Sequence, residues 1–231
     1  MNKQILMIVT SHDRLGDSGR MTGIWAEELA TPYRLFGEAG FAVDIASPRG
    51  GRVPFDPASV RPAGQNPPNV EFLLNDEKTR AKTTNSLLLA NVAIDAYAAV
   101  FFPGGHGAMW DLPEDTHVRR LVEAAHTAGK VIAAVCHGPA GLLSAKGKDG
   151  CSILAGRRVN AFTDAEEEAA GLTGVVPFAL ESRMRELGGC FEKADNWQAH
   201  AVRDGTLITG QNPASSEAVA RLAIAALNES A

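Results

Sequence analysis

The stretch Val131-Ile132-Ala133-Ala134-Val135-Cys136-His137-Gly138-Pro139-Ala140-Gly141 decides how the chain is read. Val131 to Val135 are five small or apolar residues, a run with the length and character of a fully buried strand. Gly138 and Pro139 break it, and Pro139 suits the first turn of a helix, where a missing N–H costs nothing. Cys136 and His137 stand between strand and helix. In that arrangement a tight turn lifts one side chain clear of the sheet. A thiol there is expected at the positive end of a helix, which favours the thiolate. The neighbouring imidazole can orient the thiol or exchange a proton with it. A buried structural cysteine is the competing reading.

Outward from this unit, strands alternate with helices. Gln4–Ser11 is a continuous apolar run, hence a central strand of a parallel sheet. The polar loop over residues 12–20 follows at its C-terminal end, where ligand sites of open α/β sheets lie. Thr22–Ala39 reads as a helix with Trp25, Leu29, Leu35 and Phe36 on one face, and Pro32 is expected to kink it. Phe41–Ala46 and Tyr97–Phe102 read as further strands. Glu114–Ala128 reads as a helix capped by Gly129. Ala140–Ala145 continues the helix after the cysteine, Arg157–Phe162 is a strand and Pro177–Leu187 a short helix. Residues 190–194, 199–203 and 206–210 read as short strands, the last two a hairpin about Asp204-Gly205, before a final helix over 217–227. Between residues 53 and 95 the character changes. Pro54, Pro57, Pro62, Pro67 and Pro68 make an irregular stretch, and Glu71–Leu89 is helix-compatible with weak periodicity. This segment is expected to be an insertion or lid within one domain spanning 1–231. There is no internal repeat. The expected fold class is α/β, a doubly wound, mostly parallel sheet sandwiched by helices.

Composition excludes some partners. At 231 residues the chain can bury a sizeable core unaided. A net charge of −5, without a basic run, argues against nucleic acid and anionic membranes. No apolar stretch approaches the ~18 residues of a membrane span. The start, Met1 to Val9, lacks an A-x-A cleavage pattern and reads as the first strand rather than a secretory signal. Three cysteines, Cys136, Cys151 and Cys190, show no metal-ligand spacing. So sparse and odd a set fits a reducing compartment, and a cytoplasmic location is expected.

Further motifs stand in a fixed order around the cysteine. They are Gly23-Ile24-Trp25-Ala26-Glu27-Glu28-Leu29-Ala30-Thr31-Pro32, Pro103-Gly104-Gly105-His106-Gly107, Ala134-Val135-Cys136-His137-Gly138-Pro139, Phe162-Thr163-Asp164 with Glu167, and Thr209-Gly210-Gln211-Asn212-Pro213-Ala214-Ser215. In these the chain resembles the ThiJ/PfpI superfamily, with its class I glutamine amidotransferase-like fold. The branch it most resembles is that of heat-inducible chaperones and glutathione-independent glyoxalases (glyoxalase III). The resemblance covers nearly the whole chain. It implies a flavodoxin-like sheet and a homodimer. It also implies that Cys136 is the nucleophile, His137 its proton-transfer partner, Glu28 (not Glu27) the helix glutamate, and Glu167 the acid that orients the histidine, with Asp164 as the fallback. No cofactor and no metal is implied.

Each candidate has a plainer reading. Glu28 can be an exposed helix glutamate. Glu166-Glu167-Glu168 can be a solvated run, and Glu167 rests on the resemblance alone. Gly105 and its neighbours can present backbone N–H groups to a carbonyl oxygen, or form an ordinary turn. His106 can face the substrate or solvent. Trp197 can wall a pocket or pack in the core. A carboxyl beside a thiol makes sense when one of the two is neutral and a proton is shared. Cys136 would then add to the aldehyde of a small 2-oxoaldehyde such as methylglyoxal, with Glu28 or His137 moving a proton between adjacent carbons. A glutamine amidotransferase would need a distant histidine with an acid close behind, whereas His200 is followed by Ala201, Val202 and Arg203. A cysteine amidase or peptidase would use the same nucleophile. A stress chaperone holding unfolded proteins on apolar surface would not need Cys136 at all.

Overall fold

The structure, a computed structural model, describes residues 4–229. Met1–Lys3, read with the first strand, and the last two residues of the expected 1–231 domain lie outside the described residues. The chain forms, in order, β1 (Gln4–Ile8), α1 (Ala26–Glu38), β2 (Ala42–Ser47), α2 (Pro68–Asn75), α3 (Glu77–Thr84), β3 (Leu87–Leu88), β4 (Ala99–Phe102), α4 (Ala108–Asp111), α5 (Thr116–Thr127), β5 (Val131–Val135), β6 (Arg158–Val159), α6 (Asp164–Ala169), α7 (Leu180–Glu186), β7 (Cys190–Phe191), β8 (Ala201–Asp204), β9 (Leu207–Gly210) and α8 (Ser216–Glu229).

The continuous apolar runs become the middle of the sheet. Seven strands lie in the order β3-β2-β1-β4-β5-β9-β8. All neighbours are parallel except β8, which folds back antiparallel on β9 in the expected hairpin. All five residues of β5 are buried. Alternation along β1 splits its side chains between two cores. Leu6 and Ile8 join Leu121 and Val122 of α5 on one face. Ile5 and Met7 join Leu29 of α1 and Ala223 of α8 on the other. Phe102 pairs with Ala134, and Val135 with Gly210, so β4, β5 and β9 end side by side.

Several boundaries differ from expectation for local reasons. The first helix begins at Ala26, not Thr22. Ile24 is extended, its N–H bonded to the Pro54 carbonyl, and Trp25 donates to the Gly104 carbonyl. The helix expected over 71–89 is two helices, because Asp76 leaves the helical conformation and caps α3 by accepting from the Thr79 N–H at 2.9 Å. The residues at 87–88 then join the edge of the main sheet beside β2. The segment after Cys136 is a 3-10 helix over Gly138–Leu142, not an α-helix over 140–145. A Cβ on Gly138 would lie 2.1 Å from the Phe102 carbonyl oxygen, so only glycine lets this turn pack. Strands expected over 157–162 and 190–194 shrink to β6 and β7, which pair with each other outside the main sheet. Beyond Val159 the chain leaves strand pairing, since the Asn160 N–H donates to the Thr209 hydroxyl. The Phe162 N–H then reaches the Cys136 carbonyl at 2.9 Å, carrying this segment across the end of β5.

Candidate active site

Cys136 sits where β5 stops. Its N–H still bonds to the Gly210 carbonyl at 2.9 Å, but its φ is 59°, a left-handed conformation uncommon outside glycine. The tight turn read from the sequence is therefore present, with its backbone strained at Cys136. The sulfur lies 3.2 Å from His137 Nδ1. The backbone N–H groups of Gly105 and His137 donate toward it.

Glu28, from the first turn of α1, is fully buried on the other side of the thiol. Its Oε2 accepts from the Gly104 N–H at 2.6 Å. Among the described residues its Oε1 has no conventional hydrogen-bond partner, leaving the carboxyl to interact with the Cys136 thiol. A Cβ on Gly104 would come within 2.7 Å of Glu28 Oε2 and 2.6 Å of the His137 nitrogen. Burial raises the Glu28 carboxyl to about 8, against the opposing pull of its hydrogen bonds from Cys136 and Gly104. It is therefore protonated at neutral pH. Glu27 turns elsewhere and accepts from the Thr31 hydroxyl at 2.6 Å.

Glu167 joins two histidines. Its Oε2 lies 2.8 Å from His137 Nε2 and its Oε1 2.8 Å from His106 Nε2. Burial works to raise its pKa, but the hydrogen bonds from His106 and His137 hold the carboxyl down at about 2. Burial, reinforced by the nearby His106, lowers His137 to about 4. An ionised carboxylate only accepts, so the neutral His137 ring carries its proton on Nε2 and turns the Nδ1 lone pair to the sulfur. The His106 ring packs against His137 with centroids 4.1 Å apart, and Phe162 covers His137 at 4.5 Å. Asp164 is not part of this group. Its carboxylate accepts from the Ser182 hydroxyl and its N–H donates to Glu181.

One expectation is corrected. The thiol does not titrate below an ordinary cysteine. Burial pushes it up, and the Glu28 carboxyl pushes it further. The helix meant to favour the thiolate is a five-residue 3-10 turn, too short to bring a large dipole to bear.

The sulfur opens on a cavity of about 310 Å³ whose walls include Leu15, Trp25, Phe162, Leu172 and Trp197, with Arg20 and Asp56 also lining it. A larger hollow of about 520 Å³ lies between Pro113, Leu143 and Phe178; Ser144 and Ser182 line it, with no cysteine or histidine beside them. Among the described residues, His106, His137 and Glu167 have donor atoms within 4.8 Å of one another. They could hold an ion only by giving up both hydrogen bonds to Glu167. Sequence reasoning missed Glu166. It is no solvated glutamate but a fully buried one, in a capping box with Thr163. The signal was present as Thr163-x-x-Glu166.

Residues 21–226 match the DJ-1/PfpI family. The chain is 29% identical to the glutathione-independent glyoxalase hsp3101 of Schizosaccharomyces pombe over 96% of this chain and 94% of that protein. Among solved structures it superposes on the Rapid Encystment Protein 24 KDa of Francisella tularensis with a TM-score of 0.92 at 38% identity, covering 97% of this chain and 99% of the other. It superposes on glyoxalase III of Candida albicans with a TM-score of 0.87 at 26% identity, covering 96% of each.

Proposed function

The chain belongs to the DJ-1/PfpI family, and on that footing we propose that it is a glutathione-independent glyoxalase. It would convert methylglyoxal-type 2-oxoaldehydes to 2-hydroxy acids and so protect against carbonyl stress. One observation carries the reading: the Cys136 thiol stands between a carboxyl held protonated at neutral pH and an imidazole held neutral. Those are the two proton carriers that an internal redox rearrangement needs.

The sulfur attacks the aldehyde carbon while its proton passes to His137 Nδ1, so the buried thiol need not ionise beforehand. The Gly105 and His137 N–H groups steady the developing oxyanion. Glu28 gives its proton to that oxygen, forming the hemithioacetal, and is left as a carboxylate. It then takes the proton from the former aldehyde carbon and returns one to the neighbouring carbon through an enediol. The first carbon is oxidised to a thioester and the second reduced to an alcohol. Water, its proton accepted by the Glu28 carboxylate, cleaves the thioester, and His137 returns its proton to the leaving sulfur, which frees the acid and restores the thiol, the protonated carboxyl and the neutral imidazole. Glu167 keeps His137 in the required tautomer.

A reducing cytoplasm and a homodimer belong to the same reading. Cys151 and Cys190 are exposed free thiols, and exposed Phe72, Leu87 and Leu88 offer apolar surface to a second copy or to an unfolded chain. The test is to incubate purified protein with methylglyoxal, without glutathione or added metal, and follow lactate. Stoichiometric lactate is expected. Loss of aldehyde into protein adducts without lactate would refute the reading.

A further inference from the structure

Among the described residues, Cys136 and Trp197 are the two non-glycine positions with a left-handed backbone, Trp197 having a φ of 67°. The Gln198 N–H closes a turn onto the Asp195 carbonyl at 3.1 Å, which puts Trp197 third. A positive φ there ordinarily falls to glycine or asparagine. Asn196 stands one place too early to take it. A large aromatic residue persists in this conformation only where its surroundings over-determine it.

The surroundings do so through Glu166. Its Oε1 accepts from the Trp197 N–H at 2.8 Å, from Asn212 Nδ2 at 2.8 Å and from Gln211 Nε2 at 3.1 Å. Its Oε2 accepts from the Thr163 N–H and hydroxyl at 3.0 and 3.1 Å. Both flanks of the turn are tied as well. Asn212 Nδ2 donates to the Gln198 carbonyl, and the Ala194 N–H donates to Gln211 Oε1. Five neutral donors thus satisfy a fully buried carboxylate, and one of them is the strained residue.

Burial of the indole is not what this arrangement achieves, because Trp197 remains 50% exposed. It holds the ring beside the site instead. The indole lies 5.7 Å from the Phe162 ring, which itself covers His137, and it lines the cavity that contains Cys136. That cavity, about 310 Å³, is generous for methylglyoxal. Phenylglyoxal has twice the non-hydrogen atoms of methylglyoxal, and its ring can cover the Phe162 and Trp197 walls that a methyl group leaves bare.

We propose that Trp197, fixed by Glu166, is the specificity-determining wall of this pocket and selects 2-oxoaldehydes with an aryl-sized apolar substituent over methylglyoxal. The chemistry rests on the glyoxalase reading; the binding preference does not. The test therefore measures binding first. By calorimetry, the wild-type protein is expected to bind mandelate at least tenfold more tightly than lactate, these being the 2-hydroxy acids formed from phenylglyoxal and methylglyoxal. Trp197→Gly suits the backbone while removing the wall. It should melt no lower than wild type, yet bring the affinity ratio down at least fivefold. Trp197→Phe should restore most of the ratio. In turnover, kcat/KM for phenylglyoxal should exceed that for methylglyoxal by a similar factor in the wild type, and the excess should shrink in the glycine variant. Equal affinities in the wild type, or a ratio that survives in Trp197→Gly, would overturn the proposal. A ratio that collapses as expected while neither aldehyde is turned over would leave the wall standing and remove the glyoxalase reading.

Discussion

Glu28 and Cys136 form a buried acid pair, and the order in which they lose protons sets the pH behaviour of the site. Glu28 holds its proton to about 8, His137 takes one only below about 4, and burial keeps the thiol protonated beyond its ordinary range. The competent form therefore exists between these limits. We expect kcat/KM to fall below about pH 4, as His137 Nδ1 is protonated, and above about pH 8, as Glu28 loses its proton. A rate that keeps climbing through pH 9 would mean that a free thiolate is the attacking species. Glu28→Gln should fold but lose two to four orders of magnitude in turnover, the usual worth of a positioned acid or base. Glu27→Gln should change little, because Glu27 bonds to Thr31 on its own helix. The sequence distinguishes these adjacent glutamates only through the spacing from Glu28 to Pro32. Their different burial follows from Trp25 and Gly104 docking the start of α1 onto the end of β4.

At the scale of elements, the parts that could be read were those whose residues act locally. The central strand β5 runs over the expected Val131–Val135, since five consecutive apolar residues fit no exposed element. What escaped reading depends on partners distant in sequence. The start of α1 is delayed because Ile24 bonds to Pro54, the strand expected over 157–162 is cut short because Asn160 bonds to Thr209, and that over 190–194 because the Ala194 N–H donates to Gln211 Oε1. The Cys136 thiol departs from expectation for the same reason: local sequence shows a helix start, but the burial and the Glu28 carboxyl come from the fold. Of the two carboxylates left open as partners of His137, Glu167 is the one that reaches it, one helical turn beyond the Thr163 cap. That cap makes a prediction of its own. Thr163 Oγ1 accepts from the Glu166 N–H at 3.0 Å, and Thr163→Ala should cost about 0.5–2 kcal/mol in denaturant unfolding. It should also weaken turnover by loosening Glu167. Wild-type stability and turnover would show that α6 is held by its packing alone.

Across the whole molecule, the parallel sheet does the assembling. β4, β5 and β9 end together, so the Gly104–Gly105 turn, the Cys136 elbow and Gln211 meet with the start of α1, although Glu28 and Gly104 are 76 positions apart. The strand–helix alternation made that architecture readable from sequence. It could not show which exposed apolar residues meet a partner, because side chains such as Leu87 and Leu88 have the same periodicity whether covered or bare. The same scale separates the enzymatic reading from a holdase. Catalysis needs one sulfur atom, whereas holding unfolded protein needs apolar area. Cys136→Ser keeps nearly the same volume, and a serine hydroxyl is a far weaker nucleophile than cysteine sulfur at neutral pH. The decisive measurement follows methylglyoxal conversion and suppression of aggregation in parallel on wild type and Cys136→Ser, with thermal melting to verify folding. Conversion should fall to background in the serine variant while any suppression of aggregation persists. Conversion retained by a folded serine variant would contradict the account.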